Sequence, residues 1–208
     1  MQAFTKLTAI AAPLFRPNIN TDIITPMQFL VGTSREAMGD ILFAPWRFND
    51  DGSENPDFIL NMEHFREARI LIGGPNFACG SSRESAVWAL HSFGFRAVIA
   101  PSFGGIFANN CFQSGMLPIV LPEKKVAALV RQLDAAPHTA TFTIDLETLL
   151  VLPSQGEAIP FKIEEFRRTA LLEGLDDLGL MKKHSDKISA FQTTDRRSRP
   201  WIYSENFG

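Results

Sequence analysis

Four consecutive residues near the middle of the chain combine groups that bind an acidic ligand with groups that move a proton. Gly80, Ser81, Ser82 and Arg83 stand between an apolar run that ends at Gly74 and a stretch with helical spacing. The first N–H groups of a helix lack partners within the helix, and the helix dipole attracts anions. Arginine binds a carboxylate through two parallel contacts, and nearby positive charge stabilises a serine alkoxide. The segment therefore predicts a carboxylate site in which a serine acts as a base.

The same segment also fits a purely structural role. Ser81-x-x-Glu84 has the spacing of a capping box, in which the two side chains cap a helix N-terminus and contribute about 1 kcal/mol. The spacing alone leaves this alternative open beside ligand binding. The sequence contains neither the G-x-x-x-x-G-K-[ST] nor the G-x-G-x-x-G pattern, and it lacks G-x-S-x-G. Nucleotide binding and an α/β-hydrolase serine are therefore disfavoured.

The elements that must position this turn alternate between strand and helix from residue 68 onward. Apolar runs predict strands over 68–74, 97–101 and 117–121, and helical spacing predicts helices over about 82–93, 106–114 and 123–136. Further strands are expected over 6–12, 139–145 and 149–153, and a further helix over 163–173. Asp22 lies in a connection over 13–25, and residues 26–67 are rich in turn signals. The order predicts an α/β fold with a βαβ unit and a C-terminal antiparallel hairpin.

Composition narrows the class of function. The chain has 208 residues, with 20 basic and 23 acidic side chains and a formal net charge of −3, so it lacks the positive excess typical of nucleic-acid binding. It has no apolar run of the roughly 20 residues that a membrane helix needs and no signal-peptide layout, so we expect a cytoplasmic protein. Cys79 and Cys111 are the only cysteines, which are too few for a cluster site, so we expect no metal bound by this chain alone.

Nearly the whole chain resembles one family. NFACGSSRESAVWAL resembles the signature of the swivelling domain of the aconitase superfamily. Within that superfamily, the chain resembles the small subunits of bacterial 3-isopropylmalate dehydratases in five further segments, which are NTDIITPMQFL, LFAPWRF, NPDFILN, APSFGGIFANNCFQSGMLPI and GLDDLGL. The resemblance implies a swivelling β/β/α domain with a mixed sheet over residues 1–181. Residues 182–208 are expected to be a polar tail that is partly disordered or docks on a partner.

The resemblance also implies a reaction and its catalytic residues. The family's small subunits belong to heteromeric hydro-lyases that interconvert 2-isopropylmalate and 3-isopropylmalate by dehydration and rehydration in leucine biosynthesis. Carried over to this chain, the proton-abstracting base is Ser81, the carboxylate-binding arginine is Arg83, and the acidic active-site residue is Asp22. Activity would require a large subunit that carries a [4Fe-4S] cluster, in a heterodimer or heterotetramer.

Further positions are expected to contact a dicarboxylate substrate. The family resemblance assigns carboxylate binding to Ser82 and Arg35, and it places Leu30 and Val31 on the wall that receives the substrate side chain. An apolar wall at this place suits an isopropyl group better than a third carboxylate.

Three departures from the family pattern leave the substrate open. Ser85 stands where the family has His, Ala78 where Gly is common, and Met27 where many relatives have Lys. One alternative is therefore the small subunit of a related hydratase for a methylated diacid such as citraconate or dimethylmaleate. A second alternative is a non-catalytic swivel module that binds a carboxylate or stabilises a partner complex.

Overall fold

The first strand joins two halves of one mixed sheet. The computed structural model describes residues 1–137 and 141–203. Its strands are β1 (Lys6–Leu14), β2 (Ile70–Gly73), β3 (Ala97–Ala100), β4 (Leu117–Val120), β5 (Thr141–Asp145), β6 (Leu150–Leu152) and β7 (Ile159–Pro160), and they lie in the order β4-β3-β2-β1-β5-β6-β7. The end of β1 pairs in parallel with β2, whereas its beginning pairs antiparallel with β5. The predicted α/β class with a mixed sheet and a C-terminal antiparallel hairpin is confirmed, and β7 is an addition to it. Residues 139 and 140, included in one predicted strand, lie outside the described residues.

Helices connect the parallel strands and follow the antiparallel ones. They are α1 (Thr21–Ile24), α2 (Ala44–Arg47), α3 (Glu84–Phe93), α4 (Gly105–Gln113), α5 (Glu123–Ala135), α6 (Glu165–Glu173), α7 (Asp177–Lys182) and α8 (Ser185–Ser198). Between α1 and β2 the chain forms short 3-10 segments, which agrees with the turn-rich prediction for residues 26–67. Among the helices described, none has the length and apolar character needed to cross a bilayer.

The core extends along both halves of the sheet and includes all of the parallel strands β2 and β3. Every residue of β2 and β3 is buried, as expected for parallel strands covered on both faces. On α5 the buried residues are Val126, Leu129 and Leu133, whose spacing of three and four places them on one face of the helix. Local patterns therefore predicted these elements, because β2 and β3 are continuous apolar runs and the burial of α5 follows the period of a helix.

The C-terminal segment contains a helix that composition did not predict. The boundary expected at residue 182 falls at the end of α7, and α8 follows within the predicted tail. The carboxylate of Asp195 on α8 accepts hydrogen bonds from Arg199 Nε at 2.6 Å and from the Tyr203 hydroxyl at 2.9 Å. Residues 204–208 of that tail lie outside the described residues. The division into a domain and a tail stays a prediction.

Candidate active site

Three loops meet where the parallel strands end. The Thr21 N–H donates to the Cys79 carbonyl at 3.0 Å, and the Cys79 N–H donates to the Ile19 carbonyl at 3.2 Å, so the loop after β1 pairs with the loop after β2. The Gly104 N–H donates to the Phe77 carbonyl at 2.9 Å, which joins the loop after β2 to the loop after β3. The carboxyl ends of parallel strands are the usual ligand sites of α/β sheets. The predicted serine turn therefore lies where α/β sheets usually bind their ligands.

An ion pair between Asp22 and Arg83 lies at this meeting point. Arg83 Nη1 donates to Asp22 Oδ1 at 2.5 Å and to the Thr25 carbonyl at 3.5 Å. The Arg83 side chain is 17% exposed and the Asp22 side chain is 55% exposed, so the guanidinium is the more buried partner. In the described part of the chain, Arg83 Nε and Nη2 have no hydrogen-bond partner. One edge of the guanidinium is held by the protein, and the other edge remains available to a ligand.

Local backbone interactions position Asp22 and the serine turn. Asn20 caps α1, because its Oδ1 accepts a hydrogen bond from the Ile23 N–H at 2.9 Å, and this holds Asp22 in the first turn of α1. Gly80 has a φ of +95°, a conformation that L side chains rarely adopt, so the chain can turn sharply between Cys79 and the serines. The Asn20 cap orients Asp22 in the loop after β1, and the Gly80 turn orients the serines in the loop after β2.

The capping-box alternative for Ser81 and Glu84 is wrong. Helix α3 begins at Glu84, its N-cap residue is Arg83, and no side chain caps it. The Arg83 N–H donates to the Ser81 carbonyl at 2.8 Å, which forms a tight turn before the helix. The Glu84 carboxylate instead accepts a hydrogen bond from Trp88 Nε1 at 3.1 Å. The start of α3 therefore keeps its electropositive N-terminus uncapped by side chains.

Ser81 and Ser82 are exposed beside this N-terminus. Within the described residues, neither hydroxyl makes a hydrogen bond to another protein group. Ala78, which opens the turn, has a φ of +54°, and this left-handed conformation explains why glycine suits the position. Asp22, Arg83 and the two serines thus form one surface cluster.

A pair of hydroxyl groups behind the ion pair was missed by sequence reasoning. The buried Thr25 Oγ1 lies 3.3 Å from Ser85 Oγ, and it also donates to the Thr21 carbonyl at 3.3 Å. The Thr25–Ser85 contact links the end of α1 to the first turn of α3. The hydrogen bond from Arg83 to the Thr25 carbonyl links the same two elements. Ser85 was singled out only as a departure from the family pattern, and no local signal pointed to Thr25.

The remaining predicted residues lie further along the loop. Leu30 is partly buried against the core, whereas Val31 is 91% exposed. The guanidinium carbon of Arg35 lies 5.0 Å from the centre of the Trp88 ring on α3. Within the described residues, Arg35 contacts neither Asp22 nor Arg83 through a hydrogen bond or an ion pair. The structure joins Asp22 and Arg83, and it places the Arg35 guanidinium against Trp88 of α3.

The residues described do not fit an iron–sulfur cluster. Residues 1–137 and 141–203 contain no group of three or more His, Cys, Asp or Glu side chains that could hold a metal ion. Cys111 is fully buried, and burial raises the pKa of its thiol well above the usual range. Cys79, which is partly exposed, is a free thiol, as is Cys111.

The fold and the sequence place the chain in a known class. Residues 1–124 match the family described as the aconitase C-terminal domain. The structure of a 3-isopropylmalate dehydratase from Methanocaldococcus jannaschii has a similar fold, with a TM-score of 0.65 and 24% identity over 89% of this chain and 98% of that chain.

Closer relatives narrow the class. The 3-isopropylmalate dehydratase small subunit of Rhodospirillum centenum is 50% identical over 97% of this chain and 98% of its own length. The protein of the same name from Roseobacter denitrificans is 47% identical over 97% of this chain and 100% of its own length. The chain belongs to the family of 3-isopropylmalate dehydratase small subunits, as its sequence resemblance predicted.

Proposed function

We propose that this chain is the small subunit of a hydro-lyase that interconverts 2-isopropylmalate and 3-isopropylmalate in leucine biosynthesis. The relatives' names and the near-complete coverage support this substrate. The observation that carries the proposal is the Arg83 guanidinium, which Asp22 holds by one edge while its Nε and Nη2 groups remain unpaired within the described residues. A carboxylate that approaches these groups would meet the planar fork that arginine offers.

Ser81 is proposed as the base. In the dehydration, Ser81 Oγ takes a proton from the carbon next to a carboxylate, a carbon–carbon double bond forms, and hydroxide leaves the adjacent carbon. Returning the proton and the hydroxyl group to exchanged carbons gives the isomer. An ordinary serine is too weak an acid to supply the required alkoxide, so its environment must stabilise that charge. Arg83 and the uncapped N-terminus of α3 are the positive groups next to it in the chain.

The other site residues have binding roles in this proposal. The exposed hydroxyl group of Ser82 donates a hydrogen bond to the substrate carboxylate, and Asp22 keeps Arg83 oriented through the Nη1 contact of 2.5 Å. Leu30 and Val31, in the loop after α1, receive the isopropyl group. That Arg35 binds a carboxylate stays a prediction, because its guanidinium is stacked on Trp88.

A larger partner completes the proposed enzyme. The small-subunit family implies such a partner, and the aconitase resemblance implies that it carries a [4Fe-4S] cluster, which would supply Lewis-acid chemistry. The described residues of this chain supply no set of cluster ligands. The part proposed for this chain is carboxylate binding and proton transfer, and we expect negligible turnover from this chain alone.

The test is turnover of the reconstituted complex. The chain is co-expressed with its large subunit, the complex is reconstituted anaerobically, and the rates with both isopropylmalates are compared with the hydration of citraconate and dimethylmaleate. We expect a preference for isopropylmalate. A preference for a smaller diacid would identify a specialised methylated-diacid hydratase, and no turnover with a fully loaded cluster would favour a non-catalytic carboxylate-binding module.

Two variants test the residue roles. Ser81→Ala should abolish turnover, and Arg83→Lys should lower kcat/KM at least about tenfold because lysine lacks the two-pronged contact. Arg167→Lys on α6 is the matched control, since Arg167 contacts Glu164 and Phe112 rather than Asp22 or the serine turn. Full turnover by Ser81→Ala and Arg83→Lys would show that the catalytic assignment is wrong.

A further inference from the structure

The loop that carries Leu30 and Val31 is held on either side and is exposed at Val31 and Gly32. We name residues 27–34 the strap. Before the strap, the Ile24 carbonyl of α1 accepts a hydrogen bond from the Phe43 N–H at 2.9 Å. Within the strap, the Thr33 hydroxyl donates to the Phe29 carbonyl at 2.6 Å, which is an internal contact. Leu30 is partly buried against the core, whereas Val31 is largely exposed and a Cβ on Gly32 would meet nothing within 4 Å, so little packing fixes the strap at Val31 and Gly32.

The end of the strap is attached to one face of α3. The Ser92 hydroxyl donates to the Glu36 carbonyl. A Cβ on Gly39 would lie 2.7 Å from the backbone nitrogen of Phe93, so the 3-10 segment Glu36–Ile41 lies directly against the helix. Arg35 is the last residue before this attached segment, and its side chain is therefore at the point where the free loop becomes fixed.

Arg35 connects this point to the candidate active site through Trp88. The Arg35 guanidinium lies over the Trp88 ring, with 5.0 Å from its central carbon to the ring centre. The Trp88 indole N–H donates to the Glu84 carboxylate, and Glu84 directly follows Arg83 at the start of α3. Within residues 1–137 and 141–203, Arg35 makes no ion pair, and its guanidinium contacts the Trp88 ring.

We propose that Arg35 and Trp88 are positioning residues that set the strap against the start of α3 and thereby determine the preference for an apolar substrate side chain. The inference deepens the proposed function and rests on it for its kinetic test. The physical reason is that, within the described residues, Leu30 and Val31 make no hydrogen bond or ion pair to α3. Their distance from a carboxylate bound at Arg83 then depends on where Arg35 holds the strap.

The structural test uses the isolated chain and needs no activity. Hydrogen–deuterium exchange of the strap is measured in Arg35→Leu and Trp88→Leu. An exposed cation–π contact contributes enough to raise strap exchange by about two- to fivefold when it is lost. Arg35→Lys and Trp88→Phe keep a cation and a ring, so their increases should be smaller. Arg167→Leu, which removes a similar contact of 4.4 Å to Phe112, is the matched control and should leave strap exchange unchanged. Unchanged strap exchange in both leucine variants would overturn the proposal.

The kinetic test separates positioning from direct carboxylate binding. In the complex, the kcat/KM for isopropylmalate is divided by that for a diacid bearing a methyl group instead. We expect this ratio to fall at least about threefold in Arg35→Leu and in Trp88→Leu, with little further loss in the double variant because both act on one contact. A carboxylate contact is shared by the two substrates, so an equal loss for both with an unchanged ratio would overturn the proposal. If the unmodified complex has no turnover with either diacid, the proposed function fails, while the exchange result still decides the strap contact.

Discussion

Two adjacent glycines at the start of α4 should respond oppositely to the same substitution. A Cβ added to Gly104 would lie 2.4 Å from the Ala78 carbonyl oxygen and 3.2 Å from its carbon, whereas a Cβ on Gly105 would meet nothing within 4 Å. Real Cβ atoms do not approach a carbonyl oxygen so closely, so Gly104→Ala must displace one of the two loops. Gly105→Ala adds the same methyl group without this conflict.

The surrounding hydrogen bonds limit how far the loops can move. The Gly104 N–H donates to the Phe77 carbonyl at 2.9 Å, and the Phe77 N–H donates to the Ser102 carbonyl at 3.0 Å. Overpacking of this kind costs about 1–3 kcal/mol. For a chain of this size, 1 kcal/mol lowers the Tm by about 2–4 °C, so Gly104→Ala should lower the Tm by roughly 2–12 °C. Gly105→Ala should leave the Tm unchanged or raise it slightly, because alanine favours the helix.

The assay is thermal unfolding of the isolated subunit followed by circular dichroism, with both variants measured beside the parent chain. In the reconstituted complex, Gly104→Ala should also lower kcat/KM, because Ala78 begins the turn that carries Ser81 and Arg83, and a displacement of about 1 Å can cost a hundredfold in rate. The error of such a measurement is about 1 °C. If the Tm values of the two variants differ by less than this, the contact between Gly104 and the Ala78 carbonyl is not rigid, and the reasoning is refuted.

Three further predictions follow from single contacts. Asp22→Asn should change the free energy of unfolding by less than about 1 kcal/mol, because the ion pair with Arg83 is partly exposed and screened by solvent. It should nevertheless lower kcat/KM about tenfold, because Arg83 is no longer held in place. A denaturant titration measures the stability and kinetics of the complex measure kcat/KM, and unaltered kinetics would contradict the role of the ion pair. Cys79 should react with a thiol reagent in the native chain and Cys111 only after denaturation, because Cys111 is fully buried and burial raises its thiol pKa; equal native rates would contradict this. The hydrogen bond from Arg199 lowers the pKa of the Asp195 carboxyl below its ordinary 3.8. The ionised carboxylate therefore stabilises the end of α8 above pH 3.8, and this stabilisation is lost as the pH falls through the lower folded-state pKa. Amide exchange measured from about pH 5 to pH 2 should show this loss, and the same loss in Asp195→Asn would contradict the prediction.

Local patterns were sufficient for most elements of the parallel half. The buried strands β2 and β3 are continuous apolar runs, and α5 has apolar residues at helical spacing, so each is encoded within a few residues. The boundaries were less accurate. Helical spacing predicted a helix from about residue 82, but α3 begins at Glu84 because the Arg83 N–H bonds to the Ser81 carbonyl in a tight turn before it, and the Glu84 carboxylate accepts from Trp88 instead of capping the helix.

The candidate residues were identifiable from the chain, whereas their arrangement required the fold. The residue types of the serine turn predicted a carboxylate site, and the family resemblance added Asp22 and Arg35. The contact between Asp22 and Arg83 joins residues 61 positions apart, and it forms only because β1 and β2 are parallel neighbours whose following loops pair. The stacking of Arg35 on Trp88 and the link from Thr25 to Ser85 are likewise contacts between distant segments. Short-range periodicity specifies which residues become strand or helix, but contacts between distant side chains depend on the order and register of the strands, which no local pattern contains.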